Sequence, residues 1–358
     1  GDEILITELK HHSNYVPWHF LRKSKNIKIN FAEMNEDGDI SLEEIEKKIT
    51  PKTKVIAITH LSNVTGAILP VKEITDLAHS KGLIVVIDKI NEFYTKQFSN
   101  VGRSVHYLAV AATNLYENTR TSVQRYINAK DKNEIVFTKG ATEALNLVAN
   151  TLGQNYLQEG DEILITELEH HSNYVPWHFL RKSKNIKINF AEINDDGEIT
   201  LEEIEKKLTP KTKIISITHL SNVTGAILPV KEITELAHSK GIIVVVDGCQ
   251  GAPHLRLDMQ DLNCDFYAIS CHKMYGPTGL GVLYGKKKWL EELPPYQGGG
   301  GMINEVKKDR ISYGDLPNKY EAGTMATAQV IAFDQSIKFL ESVGIDNVMK
   351  HEASLVEY

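Results

Sequence analysis

Asp265-Phe266-Tyr267-Ala268-Ile269-Ser270-Cys271-His272-Lys273 runs from an apolar, strand-like stretch into a polar segment, and Tyr275-Gly276-Pro277-Thr278-Gly279 then turns the chain. A lysine in this position sits on rigid backbone beside the carboxyl end of a strand. Upstream, Ile242-Ile243-Val244-Val245-Val246 is continuously apolar and mostly β-branched, the pattern of a parallel strand buried on both faces, and it ends at Asp247. The segment before it alternates strand and helix. Glu162-Ile163-Leu164-Ile165 reads as a strand, and Thr200 with Glu203 reads as a capping box for a helix through Leu208. Lys213 to Thr218 reads as the next strand, followed by a helix opened by Pro229 and closed by Gly241. Repeated β-α-β units predict an α/β fold with a mostly parallel sheet flanked by helices. Ligands of such sheets lie outside the carboxyl ends of the strands, where both Asp247 and Lys273 fall.

Alone, a lysine in a loop is a solvated charge and an aspartate after a strand is a turn residue. Together they match what pyridoxal phosphate (PLP) requires of a protein: a lysine for the covalent link and a carboxylate for the pyridinium nitrogen. A third element fits the same cofactor. Glu134-Ile135-Val136-Phe137 reads as a short strand, and Thr138-Lys139-Gly140-Ala141-Thr142-Glu143 leads into a helix with Leu145, Val148, Ala149 and Leu152 on one face. Backbone N–H groups at such a helix start, with a small residue and a hydroxyl, make a cup for phosphate, although glycine and threonine there also serve simple capping.

The chain has 358 residues and a net charge of −7, which argues against nucleic acid or an anionic membrane as its main partner. No apolar run approaches the length of a membrane span. Cys249, Cys264 and Cys271 show no C-x-x-C spacing, so the sequence suggests a reduced, cytoplasmic compartment and no structural zinc site. No G-x-G-x-x-G follows a strand, which counts against a nicotinamide site.

Residues 1–88 align without gaps to 160–247, and only eleven of the 88 positions differ: 10, 34, 36, 39, 41, 49, 55, 57, 76, 83 and 87. Ten are mild exchanges; the exception is Lys10 against Glu169. The copies part after Asp88 and Asp247, where the first continues Lys89-Ile90-Asn91-Glu92 and the second Gly248-Cys249-Gln250-Gly251. The first copy lacks any counterpart of Lys273 and reads as catalytically incomplete. Three segments are expected: a partial duplicate at 1–88, a PLP-binding large domain at 89–320, and the start of a truncated small C-terminal domain at 321–358. Residues 89–132 read as helical, Gly281 to Gly285 as a strand, Gln297 to Met302 as a glycine-rich loop, and Ile331 to Val343 as a helix.

From about Asn91 to Tyr358 these motifs resemble the SUF-type cysteine desulfurases of the class V aminotransferase superfamily. The resemblance implies a fold-type I PLP enzyme, a homodimer, with L-cysteine as substrate, alanine as product, and sulfur passed to an acceptor protein of the SUF system for iron–sulfur cluster assembly. Residue by residue it implies that Lys273 is the Schiff-base lysine, Asp247 the pyridinium partner, Gln250 the donor to the phenolic oxygen, and His170 the imidazole stacked on the ring. Ala141, Thr142, Ser270 and His272 match phosphate contacts, Asn222 a cofactor- and substrate-side asparagine, and Thr324 a phosphate contact made across the dimer.

In that family a nucleophilic cysteine and a carboxylate-binding arginine would follow Tyr358, and none of the three cysteines here matches the nucleophile. The chain is therefore expected to bind PLP and to be weak in sulfur transfer. Two alternatives remain open: another class V PLP enzyme, a selenocysteine lyase or an aminotransferase, or a non-catalytic PLP-binding remnant.

Overall fold

A computed structural model of the chain describes residues 1–8, 18, 22, 26–58, 69–87, 101 and 107–356. Two compact units emerge, 1–98 and 99–358. The junction expected at Asp88-Lys89, and the helical reading of 89–106 apart from position 101, lie outside the described residues.

The first unit is a parallel sheet of β1 (Glu3–Thr7), β2 (Lys28–Ala32), β3 (Thr53–Ile58) and β4 (Ile84–Ile87), ordered β2-β1-β3-β4. Helices Leu42–Lys48 and Val71–Ser80 contribute Ile45, Ile74 and Ala78 to a cluster with Leu5 and Ile56 on one face.

The second unit is built on a seven-stranded sheet. Its strands are β5 (Ile135–Thr138), β6 (Glu162–Thr166), β7 (Lys187–Ala191), β8 (Thr212–Thr218), β9 (Ile243–Asp247), β10 (Phe266–Ser270) and β11 (Gly281–Gly285), in the order β5-β11-β10-β9-β8-β6-β7. Only β11 runs against its neighbours β10 and β5; the other pairs are parallel, as the apolar runs predict. Helices Ala141–Asn155 and His171–Lys184 cover one face, where Leu145, Val148, Leu152 and Trp177 meet Ile163, Ile165 and Ile214. On the other face Val123, Ile204 and Ile233, from helices Tyr107–Tyr126, Leu201–Lys207 and Val230–Ser239, share a core with Leu164, Ile215 and Val244. Burial on both faces explains why β9 carries no polar alternation.

Local signals held with small shifts. Thr200 caps its helix by accepting from Glu203 N at 3.2 Å, while the Glu203 carboxylate turns to Lys207 at 3.3 Å instead of closing a capping box. The late helix starts at Thr327, four residues before the sequence reading places it, and a further helix spans Ile345–Val356. After the glycine-rich stretch the chain forms a hairpin of β12 (Ile303–Val306) and β13 (Ile311–Tyr313), which the reading missed. Both strands are short and largely solvated, so neither shows the alternation that betrays a half-buried strand.

Two observations place the site. The chain leaves β6 toward β7 and leaves β8 toward β9, in opposite directions, so a crevice opens at the carboxyl ends of β6 and β8. At the neighbouring ends, Gly281 of β11 faces the turn before helix Ala141–Asn155. A Cβ there would lie 2.4 Å from Gly140 Cα, so only glycine lets that helix start close over the sheet.

Candidate active site

Lys273 lies in a short 3₁₀ turn, Cys271–Met274, directly after β10; Tyr275 ends the turn in the left-handed region at φ 59°. Asp247 is the last residue of β9 and is buried. Its register partners are Thr218 of β8 and Ala268 of β10. Cys249 N, two residues beyond the strand, donates to Asp247 Oδ1 at 3.0 Å, and this backbone contact fixes the carboxylate.

A cavity of about 200 Å³ is lined by Ala141, Thr142, His170, Asn222, Asp247, Gln250, Ser270, His272 and Lys273. Nine of the ten predicted cofactor residues thus meet at one place, drawn from five separate segments of the chain. A wider depression of about 590 Å³ shares Thr142, Ser270 and His272 with it. The tenth, Thr324, lines a different cavity with Tyr116, Glu117 and Glu321. There Glu321 is held by the buried Arg120, at 2.8 and 2.9 Å, and by Phe137 N at 2.8 Å, which fixes the segment leading to Thr324.

The donor set suits PLP. Helix Ala141–Asn155 begins at the cavity with Gly140 as its N-cap and no side-chain cap, so its first turn offers N–H groups and the positive end of the helix dipole to an anion. Ser270 Oγ accepts from Ala141 N at 3.0 Å, and the Thr142 and Ser172 hydroxyls lie 2.8 Å apart, which clusters three hydroxyls at that helix end. The same cavity is lined by a carboxylate, Asp247, for a ring nitrogen and a primary amine, Lys273, for an aldehyde.

His170 combines the two roles a histidine has in this position: it lines the cavity and caps helix His171–Lys184. Its Nδ1 accepts from Ser172 N at 3.1 Å, so the neutral ring carries its proton on Nε2. The preceding Glu169 accepts from Thr218 N at 2.9 Å, from Thr166 Oγ1 at 2.6 Å and from Asn173 Nδ2 at 2.6 Å. Burial pushes the Glu169 carboxyl up to about 7 against the opposing effect of these hydrogen bonds.

Ser172, Thr218, Leu220 and Cys249 also line the cavity and were missed in the sequence. Thr218 and Cys249 carried a usable signal, since each lies at or just past the carboxyl end of a strand already assigned. None of the three thiols is prepared as a nucleophile. Burial, with the Asp247 carboxylate beside it, pushes Cys249 up to about 12; burial pushes Cys264 up to about 12 and Cys271 well above the ordinary thiol range.

The protein family described as Aminotransferase class-V matches this chain twice, over residues 1–91 and 85–358, in keeping with the repeat. A probable cysteine desulfurase of Halalkalibacterium halodurans is 46% identical over 289 residues, 81% of this chain and 71% of that protein. Among solved structures, the cysteine desulfurase CsdA of Escherichia coli is 39% identical with a TM-score of 0.68, covering 72% of this chain and 65% of that one. The apo cysteine desulfurase of Thermococcus onnurineus is 37% identical with a TM-score of 0.72, covering 75% and 67%. The chain thus spans about two thirds of the length of these structural relatives. Their shared fold is the α/β architecture described above, and the cofactor of the family is PLP. With its lysine, aspartate and helix-end hydroxyls gathered at one cavity, and with a probable cysteine desulfurase and two solved cysteine desulfurases among its relatives, the chain belongs to the class-V aminotransferase family.

Proposed function

We propose that the 99–358 unit binds PLP through Lys273 and uses it on L-cysteine, in the reaction of a cysteine desulfurase: alanine is released and the substrate sulfur passes to a thiol. The supporting observation is the convergence of Lys273, Asp247, His170 and the helix-end hydroxyls on one cavity. Bound PLP supplies an electron sink for negative charge at the substrate Cα. The other steps belong to the chain. Lys273 Nζ would hold the cofactor and afterwards move the Cα proton. Asp247, immobilised by Cys249 N, would keep a proton on the ring nitrogen. The first turn of helix Ala141–Asn155, with Thr142 and Ser270, would hold the phosphate, and His170, which lines the same cavity, would pack against the cofactor.

The sulfur-accepting step needs a thiolate, and burial keeps Cys249, Cys264 and Cys271 protonated. This chain is therefore read as competent in cofactor binding and Cα chemistry and weak in persulfide turnover through its own thiols. Thr324 is assigned to the phosphate of a second copy in a homodimer. An acceptor protein of iron–sulfur cluster assembly is the sulfur's destination.

Visible absorbance with added PLP tests the reading. A band that requires Lys273, is lost in Lys273→Ala and shifts on adding L-cysteine with release of alanine supports it. A keto acid product would favour an aminotransferase. The absence of any lysine-dependent band would remove the assignment.

A further inference from the structure

Glu169, Asn173, Ser216 and Trp177 form one line of hydrogen bonds behind the cavity. Glu169 Oε2 accepts from Asn173 Nδ2 at 2.6 Å, Asn173 Oδ1 accepts from Ser216 Oγ at 2.6 Å, and Ser216 Oγ accepts from Trp177 Nε1 at 3.0 Å. Asn173, Ser216 and Trp177 are fully buried. At its other oxygen Glu169 accepts from Thr218 N, the residue in register with Asp247. The line therefore crosses the crevice where the paths after β6 and β8 diverge, and ties the segment carrying His170 to the strand beside Asp247.

The first copy provides a natural comparison. Only two of the eleven differing positions replace a hydrogen-bonding group of this line, and both remove it: Lys10 stands for Glu169 and Ala57 for Ser216. Ala57 is fully buried, so its slot persists without the hydroxyl. The remaining nine positions exchange one aliphatic residue for another, one acid for the other, or serine for threonine. We propose that Glu169 is a positioning residue of the cofactor site: through Thr218 on one side and the Asn173-Ser216-Trp177 line on the other, it fixes His170 relative to Asp247. The first copy has lost this lock.

The proposal rests on the PLP reading for its purpose, but its first test does not. Hydrogen exchange of residues 167–174 in the full chain, without cofactor, is compared among wild type, Glu169→Lys, Glu169→Gln, Ser216→Ala and the first-copy pair Lys10→Glu/Ala57→Ser. Exchange should quicken about tenfold or more in Glu169→Lys and Ser216→Ala, a change of about 1.4 kcal/mol in local opening. Glu169→Gln, which keeps an acceptor for Thr218 N, should remain near wild type, and the first-copy pair should leave 167–174 unaltered. Ser216→Ala guards against misfolding, since alanine already fills the matching slot of the first copy. With PLP added, the same two variants should bind more weakly and show a diminished visible circular dichroism per bound cofactor, which reports ring orientation. Unchanged exchange in both variants would overturn the lock. Quickened exchange with wild-type affinity and dichroism would overturn its positioning role. Failure of the PLP assignment would appear separately, as a wild type without a Lys273-dependent band.

Discussion

Two nearly identical stretches of this chain meet two different fates. The described strands of residues 1–88 take the same parallel order as those of 160–247, with the same register and the same irregularity between β1 and β3 as between β6 and β8. Their side-chain details repeat as well. Asn30 donates to Glu3 at 2.7 Å as Asn189 does to Glu162 at 2.6 Å, and Lys48 reaches Glu33 as Lys207 reaches Glu192, each at 2.8 Å. What differs is completion. In the second unit β9 is central, and β10, β11 and β5 extend the sheet beyond it; in the first, β4 is an edge among the described residues. In the second unit helix Ala141–Asn155 packs on β10 and β11 and against helix His171–Lys184, and no described element does the same in the first unit. Accordingly Trp177, Ile188 and Ile214 are buried where Trp18, Ile29 and Val55 remain partly exposed. Local sequence therefore determines the β-α-β unit, while burial of its second face, and the site above it, depends on residues outside the repeat.

The largest contrast is expected from the paired tryptophans. Trp177→Ala should destabilise its unit by about 3–5 kcal/mol, since it empties a fully buried site and removes the donor to Ser216 Oγ. Trp18→Ala, at a half-buried position, should cost about 1–2 kcal/mol. Denaturant titration read by exchange in each copy would separate the two, and equal losses would break the comparison. Next in size is a pH effect confined to the second copy. Because the folded Glu169 carboxyl titrates at about 7, above its unfolded value, its protonated form favours the fold. That contribution is present below pH ~4.5 and is lost as pH rises through about 7, with a ceiling of about 3 kcal/mol. Glu169→Gln should flatten the pH dependence of stability over this window; an unaltered slope would refute the assignment. The smallest contrast is Ile214→Val, about 0.5–1.5 kcal/mol at a fully buried position, against a change within about 0.5 kcal/mol for Val55→Ile in the first copy.

Much of the candidate site's convergence was legible because cofactor chemistry restricts residue types at strand ends, and strand ends can be read from apolar runs such as Ile242 to Val246. Glu169 was visible only as the one harsh exchange between the copies and Ser216 only as one of the ten mild ones; Asn173 is the same in both copies, and the meeting of the three depends on how helix His171–Lys184 lies on the sheet. The β12–β13 hairpin escaped for a related reason, because a solvated pair of short strands has no buried face to impose a period. Thr324 joins no other predicted residue within the chain; the resemblance gives it a contact across a dimer.

The most direct test of the central claim, that only the completed copy serves the cofactor, is hydrogen exchange with and without PLP at two matched strands. Val55 and Ala57 against Ile214 and Ser216 make the peptides distinguishable by mass. The account predicts that PLP slows exchange across Thr212–Thr218 and leaves Thr53–Ile58 unchanged. An equal response in both strands, or a response in Thr53–Ile58 alone, would contradict it.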